Sequence, residues 1–97
     1  MQIYIAGPMT GYPDHNFPAF HAAAKSIRDE GFSVINPAEI CPELGKPWEY
    51  YMRRDLTEML KCDVIYLLKG WDKSKGALLE KHVAEALGMA VIYEGVR

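Results

Sequence analysis

Two carboxylates of this chain stand on helix faces that otherwise carry small and apolar side chains. One face has intervals of four, four and three residues, which put its members on one side of a helix: Gly76, Glu80, Ala84 and Leu87. Asp55 interrupts a second apolar stripe in the same way. Because an unpaired buried charge is costly, each carboxyl group either has a partner or serves in chemistry, as a nucleophile or a general acid or base.

The competing interpretation of these carboxylates is structural. Asp55 has Arg53 and Arg54 beside it as partners for a salt bridge, and Glu80 would be an edge-of-core carboxylate with a local partner. Glu80 also falls near the start of its helix, where the helix dipole favours an anion. Asp72 is the third acidic candidate; it lies in a polar loop, and its alternative interpretation is a solvated loop residue.

Apolar runs and helical patterns alternate along the chain and define the elements that position these carboxylates. Strands are predicted over residues 2–6, 32–36, 63–68 and 90–94, and helices over residues 17–30, 47–61 and 76–88. Asn16 is the expected N-cap of the first helix and Gly31 its stop. This order predicts an α/β fold in one domain, residues 1–97: a small Rossmann-like or flavodoxin-like three-layer sandwich with a four-stranded parallel sheet.

The ligand crevice of such a sheet lies at the carboxyl ends of its strands. Three loops meet there, beginning at Gly7, Asn36 and Gly70. The first loop is rich in glycine but has neither the GxGxxG spacing of a dinucleotide site nor the lysine of a P-loop. Its backbone N–H groups, with Thr10 and Tyr12, would cradle a sugar hydroxyl or a phosphate, and a plain structural turn is the alternative.

Composition excludes several classes of partner. Eleven Lys and Arg against thirteen Asp and Glu give a net charge of −2, too even a balance for gripping a nucleic acid polymer. The longest apolar run, residues 64–68, is far shorter than the roughly 20 residues of a membrane helix. No basic segment precedes the apolar N-terminus, so no signal peptide is expected.

The cysteines and histidines predict no metal centre. Cys41 and Cys62 lack metal-ligand spacing and are interpreted as reduced thiols of a cytoplasmic protein. The three histidines are too scattered along the chain to form a metal site: His15, His21 and His82. Neither a metal nor another cofactor is expected.

Three segments resemble nucleoside 2-deoxyribosyltransferases and the related nucleotide N-glycosidases. The opening IYIAGPM, residues 3–9, is similar to the strand that runs into their substrate loop. CDVIYLL, residues 62–68, resembles their central strand, and GALLE, residues 76–80, followed by Ala84, resembles their G-x-x-x-E-x-x-x-A helix start. The matches cover most of the chain in the right order and look closest to short phage and bacterial members.

The resemblance implies roles for individual residues. Glu80 matches the glutamate that attacks the anomeric carbon, Asp72 the loop aspartate that assists the leaving base, and Asp55 an acidic position on the preceding helix. The strand and loop that touch the deoxyribose or its phosphate correspond to Tyr4, Gly7, Pro8 and Met9.

Further substrate contacts are expected from residue types at the crevice. Aromatic rings of Tyr4, Tyr12 and Trp71 would stack on a base, and Ser74 with Lys73 and Lys75 would hold a 5′-phosphate; a solvated basic loop is the alternative for these last three. The remaining expected contacts are Thr10, Asn36 and Gly76.

The predicted function is cleavage or transfer at the N-glycosidic bond of a 2′-deoxyribonucleoside or its 5′-monophosphate. The alternatives are a nucleotide-binding protein without turnover and a small module for assembly. Two departures from the family pattern imply a changed substrate or lost activity and motivate the nucleotide-binding alternative: the loop over residues 70–76 is more basic and carries Trp71, and the chain is short. The short chain, together with a surplus of aromatic side chains on the second helix, predicts a homodimer or higher oligomer: Trp48, Tyr50 and Tyr51.

Overall fold

Four strands alternate with three helices in the computed structural model, which describes residues 1–40 and 45–95. The elements are β1 (Gln2–Ala6), α1 (Phe17–Asp29), β2 (Ser33–Ile35), α2 (Trp48–Met59), β3 (Val64–Leu67), α3 (Lys75–Ala86) and β4 (Ala90–Tyr93). Short 3-10 turns occupy Pro13–Asn16, Pro37–Glu39 and Trp71–Lys73. Cys41, in the predicted loop before α2, lies outside the described residues.

All strands run parallel in the order β2-β1-β3-β4, which confirms the predicted four-stranded α/β sheet. Ile3 of β1 pairs with Val34 of β2 on one side and with Val64 of β3 on the other. The two central strands are buried on both faces, as their apolar sequences require. No helix of the described residues is long and apolar enough to cross a membrane.

The sheet separates two layers of apolar packing. One face of β1 packs against α1 through Ile3, Ile5 and the buried ring of Phe20. The opposite face presents Tyr4 and Ala6 to the α2 and α3 side, where the core side chains include Met59, Ala77 and Ala84. Side chains alternate between the two faces of a strand, so Tyr4 is directed to the layer that holds α2 and α3.

The start of α1 differs from the predicted cap. Asn16 occupies the N-cap position with φ of 61°, and its side chain makes no capping hydrogen bond. Instead Asn16 Nδ2 donates to the carbonyl oxygen of Pro8 at 2.9 Å. Asp14 and His15 precede it with φ of 53° and 54°, a left-handed run that non-glycine residues adopt at an energetic cost. The hydrogen bond at the end of this run ties the loop after β1 to the helix.

Two glycines permit close approach around the carboxyl edge of the sheet. A β-carbon built on Gly7 would lie 2.8 Å from Leu68 Cβ, a distance that real side chains do not adopt. A β-carbon on Gly76 would lie 3.1 Å from the Met52 sulfur, where α3 meets α2. The first contact is with an atom fixed to buried backbone, whereas the second is with the flexible part of a methionine side chain.

Gly7→Ala should therefore destabilise the fold more than Gly76→Ala. We expect Gly7→Ala to lower the free energy of unfolding by about 1–3 kcal/mol, as overpacking of a close-packed core does. Gly76→Ala should cost less because the Met52 side chain can move aside. Urea denaturation of the two variants and the wild type measures the difference. Equal stability of wild type and Gly7→Ala would contradict the close approach.

Candidate functional site

A cavity of about 490 Å³ opens at the carboxyl end of β1, between the loop that follows this strand and the helices α2 and α3. Its size is typical of small-molecule sites. Twelve of the residues expected at the site line it: Tyr4, Gly7, Pro8, Met9, Thr10, Tyr12, Asp55, Lys73, Ser74, Lys75, Gly76 and Glu80. The cavity therefore gathers residues from β1, α2 and α3 that lie up to 76 positions apart in sequence.

Glu80 forms the inner polar wall of this cavity. Its side chain projects from the second turn of α3, and the residue is only 5% exposed. The Tyr4 hydroxyl donates a hydrogen bond of 2.5 Å to Glu80 Oε2. Both groups are buried, and the hydrogen bond gives each of them a partner in a setting where an unpaired polar group is costly.

Burial dominates the electrostatics of the pair. Desolvation raises the pKa of the Glu80 carboxyl to about 8, against an opposing effect of the Tyr4 hydrogen bond and with a further rise from the charge of Asp55. Desolvation and the neighbouring carboxylates likewise raise the pKa of Tyr4 well above its ordinary value. Glu80 lies beyond the first turn of α3, so the helix N-terminus that the sequence suggested does not offset the burial. Glu80 is thus mostly protonated at neutral pH.

Asp55 lines the same cavity from α2 and has the partner that its burial demands. Arg54 Nε lies 3.2 Å from Asp55 Oδ1, and the two side chains are 26% and 14% exposed. Burial raises the pKa of the Asp55 carboxyl, and Arg54 opposes the rise through its charge and its hydrogen bond. The cavity therefore contains two acidic groups whose protons are held more tightly than in water.

The first turn of α3 gives the cavity a basic end. Ser74 caps the helix by accepting a hydrogen bond of 3.2 Å from the Ala77 N–H. Lys73 and Lys75 line the cavity beside it, and Lys75 Nζ lies 4.0 Å from the centre of the Trp48 ring. Positive side chains thus stand at one end and carboxyl groups at the other, an arrangement that orients a ligand with a single anionic group.

Two expected contacts lie away from the cavity because of a 3-10 turn. The turn Trp71–Lys73 directs Trp71 onto Tyr93 of β4, with 5.5 Å between the ring centres. Trp71 and Asp72 then line a separate cavity of about 340 Å³ with Glu94. Asp72, expected near the leaving base, does not share the cavity of Glu80, whereas Lys73, the next residue, does.

Asn36 also lies outside the cavity, in a structural role. It is 2% exposed, and its side-chain oxygen accepts a hydrogen bond of 3.0 Å from the Ala38 N–H. Its Nδ2 lies 3.2 Å from His21 Nδ1. These bonds end β2 before residue 36 and start the short turn Pro37–Glu39.

Two aromatic residues of α2 line the cavity without having been expected there. Trp48 and Tyr51 belong to the aromatic surplus that the sequence assigned to subunit contact. The sequence does contain a signal that could have placed Trp48 at the cavity: it shares a helical face with Asp55 at an interval of seven residues. A metal has no evident place: within residues 1–40 and 45–95, no three His, Cys, Asp or Glu side chains gather as ligands.

Comparison with known proteins identifies the family and the fold. A family model described as "Domain of unknown function (DUF4406)" matches residues 1–93, so the chain belongs to that family. No curated protein matches it. The fold is nucleoside 2-deoxyribosyltransferase-like, as the resemblance implied.

Two solved structures carry this likeness. A 2-deoxyribosyltransferase of Leishmania mexicana has a TM-score of 0.72 and 19% identity, with 95% of this chain and 62% of that chain covered. A 2-deoxyribosyltransferase of the psychrotolerant bacterium Bacillus psychrosaccharolyticus has a TM-score of 0.75 and 21% identity, with 96% of this chain and 71% of that chain covered. The chain thus spans less than two thirds of the Leishmania protein.

Replacing the buried carboxyl should change how stability depends on pH. The folded-state pKa of Glu80, about 8, lies above the ordinary 4.5, so its contribution to stability is full below about pH 4.5 and is lost as pH rises through 8. The slope is at most about 1.4 kcal/mol per pH unit. Glu80→Gln cannot ionise, so its stability relative to wild type should rise steadily over this interval in urea denaturation.

Glu85→Gln is the matched control for this experiment. Glu85 lies on the exposed side of the same helix and pairs with Lys81 at 2.8 Å. Its variant should keep the pH dependence of the wild type. Parallel stability curves for wild type and Glu80→Gln would show that Glu80 does not hold its proton in the folded state.

Proposed function

We propose that this member of the DUF4406 family cleaves the N-glycosidic bond of a 2′-deoxyribonucleoside or its 5′-monophosphate, and either releases the deoxyribosyl group to water or transfers it to a second base. The observation that carries the proposal is the Glu80 carboxyl, buried in the cavity wall and fixed by the Tyr4 hydroxyl. A fixed carboxylate below a sugar ring is the group that traps an oxocarbenium-like centre. The likeness in fold to two 2-deoxyribosyltransferases supports the choice of a deoxyribosyl substrate.

The reaction proceeds in two steps on this chain's own residues. Ionised Glu80 attacks C1′ of the deoxyribose, the C1′–N bond breaks with its electron pair going to the base, and an acid donates a proton to the base nitrogen. The product is a glycosyl ester of Glu80. Water or a second base then attacks C1′ and gives a proton to the acid that was deprotonated in the first step, the ester bond breaks with its electron pair going to the carboxylate, and ionised Glu80 is regenerated.

We assign the proton donor to Asp55. Its carboxyl lines the cavity of Glu80, and burial raises its pKa, which favours the protonated form that a general acid needs. Asp72, the family-based choice, lines the separate cavity beside Trp71. The ring of Tyr51, on the wall that carries Asp55, is suited to pack against the departing base.

The basic end of the cavity favours the 5′-monophosphate as substrate. Lys73, Ser74 and Lys75 surround the first turn of α3, and Glu80 follows Gly76 by four residues. Four residues of helix rise by about 6 Å, roughly the span of a pentose between its anomeric carbon and its 5′-phosphate. A phosphate at the first turn would therefore put C1′ within reach of Glu80.

Binding without turnover is the second candidate, and one observation favours it. Burial raises the pKa of Glu80 to about 8, so the nucleophile is mostly protonated at pH 7. A nucleotide would then bind at neutral pH and remain intact. The two candidates separate in alkaline solution, where the carboxylate forms.

We also propose a homodimer in the cytoplasm. Trp48 lines the open cavity, and Tyr50 on the same helix is 36% exposed. A second copy seated on α2 would cover these rings and close the cavity. The free thiol of Cys62 fits a compartment in which thiols stay reduced.

Base release from deoxynucleosides and their 5′-monophosphates tests the enzymatic proposal. We expect the rate to rise as pH approaches 8, because the nucleophile must ionise, and to be greater with the monophosphates. Glu80→Gln should abolish release, and Asp55→Asn should lower it by about 10²- to 10⁴-fold, the usual contribution of a general acid. Chromatography of the free base measures the rate.

Asp72→Asn is the matched control for Asp55→Asn, because it removes an acid that lies outside the cavity of Glu80. It should release base at nearly the wild-type rate. Wild-type rates from Glu80→Gln would refute the nucleophile. Stabilisation of the wild type by a monophosphate that stays intact even at pH 9 would establish the binding protein instead.

The oligomeric proposal predicts a mass twice that of the 11.0 kDa chain, or a multiple of it, by light scattering at micromolar concentration. Tyr50→Glu places a charge on the expected contact and should shift the mass towards that of one chain. A wild-type mass of one chain would refute the dimer and leave the chemistry of the cavity unaffected.

A further inference from the structure

Arg54 stands behind the cavity rather than in it, between two residues that line it. Its Nε lies 3.2 Å from Asp55 Oδ1, and its guanidinium carbon lies 5.3 Å from the centre of the Tyr51 ring. The side chain is 26% exposed, so it is partly shielded from the water that weakens an ordinary surface ion pair. One arginine therefore contacts an acid and an aromatic ring of the same wall.

We propose that Arg54 is a positioning residue for Asp55: it binds Oδ1, lies over the Tyr51 ring, and leaves Oδ2 as the oxygen that meets a ligand. This inference rests on the proposed function for its catalytic meaning, though not for its geometry. The planar guanidinium suits the task because it forms a directed hydrogen bond and packs on an aromatic face at once, which an ammonium group does less well.

The charge of Arg54 also limits how tightly Asp55 holds its proton. Burial raises the pKa of Asp55, and Arg54 opposes this rise by stabilising the carboxylate. A general acid must be protonated before the reaction and must release its proton during it, so a pKa raised without limit would make a poor donor. Arg54 keeps the pKa of Asp55 below the value that burial alone would give it.

The other charged and titratable groups around the cavity do not supply the positive charge that Arg54 places beside the Asp55 carboxyl. Glu80 of α3 and Tyr4 of β1 are acids, and the pKa of each is raised by the charge of Asp55. On α2 itself, Glu58 lies one turn further on and pairs with Lys61 at 3.0 Å. The cations that line the cavity belong to the turn before α3 and to its first residue: Lys73 and Lys75.

Carbon-13 NMR titration of the Asp55 carboxyl tests the assignment without requiring any activity. Asp55→Asn identifies its resonance. Arg54→Met keeps much of the packing on Tyr51 but removes the charge, and it should raise the titration midpoint by about one pH unit, a tenfold change in the protonated-to-ionised ratio. Arg54→Lys should restore most of the shift, because the charge returns.

Arg53→Met is the matched control, since Arg53 is the preceding residue of α2 and is exposed. It should leave the Asp55 midpoint unchanged. An unchanged midpoint in Arg54→Met, or an equal shift in Arg53→Met, would overturn the proposal.

The kinetic arm separates this inference from the proposed function. In the base-release assay, the limb of the pH–rate profile that coincides with the wild-type NMR midpoint of Asp55 should move to higher pH in Arg54→Met together with that midpoint, because the acid stays protonated further up the pH scale. A moved midpoint with an unmoved limb would overturn the role of Arg54 in the reaction. Absence of base release from the wild type would refute the proposed function, while the titration would still decide whether Arg54 controls Asp55.

Discussion

The hydrogen bond from the Tyr4 hydroxyl to Glu80 Oε2 joins strand β1 to helix α3 inside the core. Each residue alone would be a polar group stranded among apolar side chains. The bond makes their burial tolerable without removing its electrostatic cost, which remains in the raised pKa of Glu80. For Glu80 to reach Tyr4, α3 has to lie close to the sheet and to α2, and a β-carbon added at Gly76 would lie only 3.1 Å from the Met52 sulfur. Because Gly76 has no side chain, space remains between α3 and α2 at this point, and that space is part of the cavity.

The sequence was sufficient for the elements and their order because those depend on local patterns. Alternating apolar runs and helical stripes predict all four strands and three helices, and the parallel sheet follows from their order. Glu80 and Asp55 were detectable for a related reason: each breaks a regular apolar pattern, and burial follows from position on a helix. Periodicity can therefore identify site residues as well as secondary structure, provided that those residues project from a regular helix or strand.

The positions of loop side chains could not be predicted in this way, because sequence spacing does not fix the direction of a side chain in a turn. Asp72 and Lys73 are neighbours, yet the turn Trp71–Lys73 sends one to a separate cavity and the other to that of Glu80. Asn36 was expected at the crevice from its place after a strand, but its amide satisfies the backbone of the next turn. Trp48 was noticed for its place in an aromatic surplus and not as a wall of the cavity, since composition does not say which side of a helix faces an opening.

The same burial that holds Glu80 also sets the chemical character of the cavity. Two neighbouring carboxyl groups removed from water cannot both ionise cheaply, and the charge of Asp55 adds to the rise in the pKa of Glu80. Arg54 is in contact with Asp55, so its charge opposes the rise in the pKa of that carboxyl that burial causes. The proposed reaction needs a proton on Asp55 and an ionised carboxylate on Glu80. Burial therefore favours the protonated form of the proposed acid and opposes ionisation of the proposed nucleophile, which is why the reaction is expected to accelerate as pH approaches the pKa of Glu80.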